Sequence, residues 1–256
     1  LEYVLLIGKA LNYDGFREPA QQATYADSVF FVPTFGIPGA DMPFVMRGSR
    51  LNEPIAGIGR LAVVRPLEIK DYLDKVIAHE QTLQTANQTI GDKAWMKRVL
   101  HNSGGLSGES QQIKNYTADM AAVLANNRFG ADVRTYYKTS NDPIQLSSFE
   151  QILDLVNGGV AVWTFFGHSS PTAVDFDIGS PLSYNNTGRY PLMMVMGCFS
   201  GLCSSTAKGI GEQFVLAPDR GAIAYYASVN YGFIDALHAY GPVSYTHLTL
   251  PTNREV

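Results

Sequence analysis

Two turns of the chain carry the side chains best suited to covalent chemistry. An apolar stretch over 161–166 leads through a glycine to His168, and a later one over 192–196 leads through a glycine to Cys198. Ligands of open parallel sheets bind beyond the carboxyl ends of the strands, so neighbouring strands would present this imidazole and this thiol at one edge. In such a pair the thiolate attacks a carbonyl carbon, and the imidazole moves the proton that the leaving amine needs.

A nucleophilic attack of this kind also needs hydrogen-bond donors for the oxyanion. The backbone amides of Ser169 and Cys198 are the candidates, because both belong to the two turns. Considered alone, Cys198 and His168 could each have a structural role instead of a catalytic one. A free cysteine usually behaves as a small buried hydrophobe, and a histidine at a strand end can bond to backbone groups. Cys203 follows a glycine turn and is interpreted as a bystander.

The composition excludes several classes of protein. The 256 residues carry a net charge of -4 and are 46% hydrophobic, which is enough for one large domain or two small ones. The sequence has no basic stripe, so nucleic acid is not an expected partner. It has no apolar run of the roughly 20 residues that a membrane span needs. No Cys/His cluster has metal-ligand spacing, so neither a metal nor another cofactor is predicted.

Short apolar stretches alternate with segments of helical periodicity, which predicts an α/β fold with parallel sheets flanked by helices. Proline at 66 suits the first turn of a helix, and Ser147 with Glu150 fits a capping box. The predicted helices run from Pro66 to about Thr82, from Ser147 to Asn157 and around Lys208–Leu216. The predicted strands are Tyr3–Ile7, Val29–Val32, Ala161–Phe166, Leu192–Met196 and Ala222–Ala227.

Composition shifts divide the chain into three parts. The polar stretch 81–93 predicts a boundary near residue 90, between an N-terminal α/β subdomain over 1–90 and a second subdomain over 91–242 that carries both turns. Residues 243–256 resemble the translation of an adapter used in DNA library preparation, as in a metagenomic fragment. We expect this tail to be non-native, with few contacts and little regular structure.

The sequence around the two turns resembles the gingipain family of cysteine peptidases. These are caspase-like enzymes that include the PorU-type sortases of the type IX secretion system. The likeness includes Asp41 and is carried by segments spread over most of residues 1–241: 3–8, 32–33, 59–63, 157–159, 167–170, 190–191, 195–198, 212–216 and 221–228.

The resemblance implies both a fold and a function. It implies two side-by-side subdomains, the second caspase-like, with Cys198 and His168 as the catalytic pair. It implies a protein or peptide substrate and a secreted or cell-surface location, with type IX secretion components as candidate partners. Four residues near the two turns are candidates for substrate binding: Ser170, Ser228, Asn230 and Tyr231.

The chain departs from the family's pattern at three places. Ser169 stands where the family usually has a glycine after the histidine. Gln111, a further candidate for substrate binding, stands where arginine-cleaving members carry the acid that binds the basic side chain, so no strong preference for Arg or Lys is expected. The acid behind the histidine would fall near 104–105, which are glycines here. Glu109 and Asp175 are therefore the candidate third members.

Three functions stay open at this point. Hydrolysis of the acyl-enzyme would make the protein an endopeptidase, whereas capture by another amine would make it a sortase-like transpeptidase. A catalytically silent binding module of the same fold is the third, although the retention of both His168 and Cys198 argues against it. A serine-dependent α/β-hydrolase is disfavoured, because no G-x-S-x-G elbow follows a strand.

Overall fold

The N-terminal part of the chain forms two small sheets and a long helix. The computed structural model describes residues 2–11, 32–47, 50–87, 89–126, 129–146 and 148–249. In one sheet β1 (Tyr3–Ile7) pairs in parallel with β4 (Gly57–Leu61), and in the other β2 (Met46–Arg47) pairs antiparallel with β3 (Arg50–Pro54). Helix α1 (Pro66–Thr85) follows, and a short α2 (Ile90–Lys93) leads onward. Most of the predicted strand Val29–Val32 lies outside the described residues.

A five-stranded parallel sheet forms the centre of the second part. Its order is β6-β5-β7-β8-β9, and every pairing is parallel. This confirms the predicted α/β fold with a parallel sheet flanked by helices. The strands are β5 (Arg98–Ser103), β6 (Asp132–Tyr137), β7 (Val162–Phe166), β8 (Leu192–Met196) and β9 (Ala224–Ala227), and the helices are α3 (Ser110–Ala125), α4 (Phe149–Asn157), α5 (Ile210–Leu216) and α6 (Ile234–Thr249). Short 3-10 turns lie at Met42–Val45, Ala94–Lys97 and Pro181–Ser183.

Both faces of this sheet are covered, because successive residues of a strand point to opposite sides. On one face Trp163 and Val195 pack with residues of α4 and with Phe214 of α5. On the other face Phe166 and Met196 pack with α3. Burial on both faces explains why β7 and β8 read as continuous apolar runs rather than as alternating ones.

Helix α5 and its flanking residues contact the N-terminal part of the chain. The buried amine of Lys9, just after β1, forms an ion pair with Glu212 at 2.9 Å. At the other end of α5, Lys75 of α1 donates to the carbonyl oxygens of Val215 and Ala222, each at 2.9 Å. Lys208 reaches back to Glu68 at 2.6 Å. The helix after the Cys198 turn is therefore held by N-terminal residues at both ends.

Several predicted boundaries shift by a few residues. The strands predicted from 161 and 222 begin at Val162 and Ala224, and α1 continues past Thr82 to Thr85. The hydroxyl of Thr82 donates to a carbonyl one turn earlier in that helix, which lets a polar residue lie there. Helix α4 begins at Phe149, and Ser147 of the predicted capping box lies outside the described residues. The boundary near residue 90 stays a prediction.

The expectation of little regular structure after residue 242 is wrong for residues 243–249, which continue α6. The physical reason is one side chain, Tyr245, which is fully buried against the sheet. Its hydroxyl lies 2.9 Å from His101 Nε2 and also bonds to Thr164. Residues 250–256 lie outside the described residues, and the origin of the tail stays a prediction.

Candidate active site

The carboxyl ends of β7 and β8 place His168 and Cys198 at the same edge of the sheet. The two strands are direct neighbours, and Phe166 is in register with Met196. The pairing continues one residue further, because the Gly167 amide donates to the Met196 carbonyl at 3.1 Å. The expectation that the two residues follow adjacent strands at one edge is therefore met.

The turn after β8 is fixed by a second loop, residues 228–232. The amide of Phe199 donates to Asn230 O, and the amide of Gly201 donates to Ser228 O, both at 2.9 Å. Phe199 has a φ of +57°, a left-handed conformation that a bulky residue rarely adopts. Cys198 is half-buried, and its sulfur lies 3.4 Å from the backbone nitrogen of Gly232.

The imidazole of His168 contacts a carboxylate. Its Nε2 contacts Oε1 of Glu109, the residue before α3. His168 is 51% exposed and Glu109 is 26% exposed, so solvent reaches the pair. Of the two acids proposed as a third member, Glu109 is the one that reaches the ring.

Ser169 links the two turns directly. Its hydroxyl donates to the carbonyl oxygen of Cys198 at 2.7 Å. The hydroxyl occupies space that a side chain at the neighbouring Gly197 would need, since a Cβ there would lie 2.2 Å from Ser169 Oγ. The serine that departs from the family's glycine thus has a structural role in this chain.

A comparison with sequence models of protein families assigns the chain to a family. The model described as peptidase family C25 matches residues 1–255. The chain belongs to peptidase family C25. No curated protein sequence matches it significantly.

Solved structures share the fold of this C25 chain. It is similar to the Arg-specific cysteine proteinase gingipain R, with a TM-score of 0.73 and 17% identity over 97% of this chain and 53% of that one. It is also similar to a complex of RgpB pro- and mature domains from Porphyromonas gingivalis, with a TM-score of 0.69 and 17% identity over 97% and 54%. The chain therefore spans about half the length of these relatives.

Asp175 anchors the loop that carries His168 in the C25 chain. Its buried carboxylate accepts from the Gly105 amide at 2.8 Å and pairs with buried Lys138 at 3.3 Å. Its own amide donates to His168 O at 2.9 Å. Burial raises the pKa of Asp175, although the Gly105 amide and Lys138 oppose that shift. The Asp175 side chain thus stabilises the turn after β5, and the Asp175 backbone amide holds the carbonyl of His168.

The residues predicted to bind substrate fall into two groups. Ser228, Asn230 and Tyr231 lie in the loop against the Cys198 turn, where the exposed Tyr231 ring packs 4.7 Å from that of Phe199. Gln111 is exposed in the first turn of α3, beside Glu109, and its amide donates to Asn115.

Ser170 lies on the histidine loop, where its hydroxyl accepts from the amides of Thr172 and Ala173. Ser170 therefore lies on the loop that carries His168, whereas Ser228, Asn230 and Tyr231 lie on the loop bonded to the Cys198 turn and Gln111 lies on α3. Their contact with substrate stays a prediction.

Cys203 has the environment of an inert thiol. Both cysteines are free, and burial raises the pKa of Cys203 to about 11. A thiol with that pKa is almost entirely protonated at neutral pH and is a poor nucleophile. Within the described ranges, no three His, Cys, Asp or Glu residues could together hold a metal ion. None of the described helices is long and apolar enough to cross a membrane.

Two residues at this edge were not expected from the sequence. Gly232 contacts the cysteine sulfur through its backbone, and Lys138 pairs with Asp175. A glycine soon after an apolar strand was the available signal for Gly232. Lys138 offers no signal, because a lysine after a strand is ordinarily exposed.

Proposed function

We propose that this chain is the catalytic part of a cysteine endopeptidase that uses Cys198 as its nucleophile and His168 as its acid and base. The observation that carries the proposal is the register of β7 and β8, which brings both residues to one sheet edge. The Ser169 hydroxyl, bonded to the Cys198 carbonyl, ties the two turns together. Membership of family C25 supports the same chemistry.

The reaction follows from the two side chains. The Cys198 sulfur attacks the carbonyl carbon of the scissile bond, while the amides of Ser169 and Cys198 donate to the oxyanion. His168 then gives a proton to the leaving amine, and an acyl-enzyme forms. Because Glu109 engages Nε2, Nδ1 is the nitrogen that exchanges the proton with sulfur. Water, activated by the same nitrogen, releases the acid product.

Glu109 acts in this scheme as a positioning residue. A carboxylate on one ring nitrogen fixes the orientation and tautomer of the imidazole and stabilises its protonated form. The partial exposure of the pair predicts a smaller effect than a buried carboxylate would have, because solvent screens it.

The substrate is proposed to be a protein or an extended peptide that lies over the edge of the sheet. Tyr231, Ser228 and Asn230 would form one wall, with Ser170 and Gln111 opposite. Gln111 is uncharged, so no strong preference for Arg or Lys is expected from it. A secreted or cell-surface location and an association with type IX secretion components are part of the proposal and rest on the family.

The proposal is tested with a thiol-reactive peptidyl probe and a fluorogenic peptide library. The unmodified protein should be labelled and should cleave peptides, and Cys198→Ala should lose both properties. Cys203→Ala is the matched control and should keep most of the activity. His168→Ala should reduce the rate by at least about 100-fold.

Other results point to the alternatives. Peptide ligation that dominates over hydrolysis when an amine acceptor is added would identify a transpeptidase. A well-folded protein that neither binds the probe nor turns over any peptide would identify a silent binding module. Equal losses from Cys198→Ala and Cys203→Ala would contradict the assignment of Cys198 as the nucleophile.

A further inference from the structure

The loop over 228–232 touches the reacting atom itself. The backbone nitrogen of Gly232 lies 3.4 Å from the Cys198 sulfur, within reach of an N–H···S hydrogen bond. The carbonyl oxygen of the same residue lies 3.9 Å from the sulfur, where it accepts weakly from the thiol. One residue therefore offers an acceptor to the protonated sulfur and a donor to the ionised one.

We propose that the backbone N–H of Gly232 is a catalytic hydrogen-bond donor that stabilises the Cys198 thiolate and aims it at the substrate carbonyl. The proposal rests on the proposed function, in which Cys198 is the nucleophile. The thiol proton passes to His168, and the N–H bond of Gly232 stays intact throughout. A donor that bonds to the charged form of a group favours that form, and bonds to ionised acceptors are the stronger ones.

The absence of a side chain at residue 232 allows this contact. A Cβ there would lie 2.6 Å from Leu237 Cδ1 and 2.7 Å from the carbonyl oxygen of Gly197. Gly197 belongs to the Cys198 turn, and its backbone would have to move to accept a side chain. Only glycine brings the amide this close to the sulfur without displacing the nucleophile.

The loop is held in place before any substrate arrives. Ser228 and Asn230 accept from the amides of Gly201 and Phe199, on the far side of the Cys198 turn. Within the loop the Ser228 hydroxyl accepts from the Asn230 amide at 3.2 Å. A donor fixed in this way needs no reorganisation when charge develops on sulfur, which is the condition under which hydrogen bonds contribute most to catalysis.

The test removes the donor and keeps the shape. In a Cys203→Ala background, the Gly232 amide is replaced by an ester through incorporation of glycolic acid, and the rate of Cys198 alkylation by iodoacetamide is measured from pH 5 to pH 10. At the acidic end the ester variant should react about fivefold more slowly than the parent, and both should reach the same plateau at high pH. Identical profiles for parent and ester variant would overturn the proposal.

Two further variants separate this effect from a general loss of stability. An ester at Gly221, whose amide donates to Asn186 at 3.0 Å away from the sulfur, should unfold more easily yet keep the parent's alkylation profile. A slowed profile in that control would contradict a specific role for Gly232. If the Gly232 ester does not fold, Gly232→Ala, checked by circular dichroism, should show the same acid-side slowing, and an unchanged profile would refute the idea.

The alkylation assay needs no peptide turnover. A failure of the proposed function would appear in the peptide assays, either as activity that survives Cys198→Ala or as a folded protein that cleaves no peptide. A failure of the Gly232 proposal would appear in the pH profile alone.

Discussion

Removal of the Ser169 hydroxyl should lower the catalytic rate more than it lowers the stability of the fold. The bond from Ser169 Oγ to Cys198 O is 2.7 Å long and partly buried, so Ser169→Ala should lower the free energy of unfolding by about 1 kcal/mol. The effect on rate should be larger. The bond joins the loop that carries the imidazole to the backbone of Cys198, the proposed nucleophile, and a misplacement of 1 Å at a reacting centre can cost about 100-fold in rate. We expect kcat to fall at least about tenfold, with less than about a twofold change in KM.

The assay pairs urea unfolding with steady-state cleavage of a peptide substrate. Thr82→Val is the matched control, because it also removes a partly buried hydroxyl-to-carbonyl bond, of 2.8 Å, in α1. It should lose comparable stability and keep kcat. Ser169→Thr retains a hydroxyl and should recover much of the rate. If Ser169→Ala loses stability but keeps the parent's kcat, the hydroxyl has a structural role only, and the positioning argument is refuted.

Three further predictions follow from the same structure. Glu109→Gln should lower kcat/KM about tenfold, because a partly exposed carboxylate orients the ring less strongly than a buried one. A parent-like kcat/KM in steady-state kinetics would exclude Glu109 as the positioning residue. Burial opposes ionisation of Glu68, yet hydrogen bonds from Lys208, Val64 and Arg65 lower its pKa to about 2; its stabilising contribution is therefore present above about pH 4.5 and lost as pH falls toward 2, and Glu68→Gln should flatten the acid side of a stability–pH curve. Cleavage of a peptide library should show no strong selectivity for Arg or Lys before the scissile bond, whereas strong Arg selectivity would show that a residue other than Gln111 supplies a charge.

The sequence predicted those elements whose apolar runs are continuous. Strands β7 and β8 are buried on both faces, so their apolar composition alone identifies them as strands. The catalytic candidates that follow them could therefore be identified from the sequence. Strand β5 could not be recognised in this way, because it ends in three buried polar residues, His101, Asn102 and Ser103. Their partners come from distant segments: the Trp163 indole donates to Asn102 at 2.6 Å, and His101 bonds to Tyr245.

The candidate site shows the same limit. Cys198 and His168 could be identified from the sequence because each follows an apolar strand. Glu109 was predicted as one of two candidate acids. The choice between Glu109 and Asp175 depends on how the start of α3 lies against the histidine loop, which no local pattern encodes. The contact of Gly232 with sulfur is a backbone contact across 34 residues of sequence. It is set by tertiary packing rather than by residue type.

The contacts of N-terminal residues with α5 limit how this protein can be truncated or redesigned. The loop over 197–209 is attached at its start to β8 and at its end to a helix whose ends are bound by Lys9 and Lys75. A fragment limited to 91–242 would lack Lys9 and Lys75, and the far end of this loop would lose both anchors. A change far from His168 and Cys198, such as Lys75→Met, is therefore expected to lower turnover by releasing one end of α5, without altering either of those side chains.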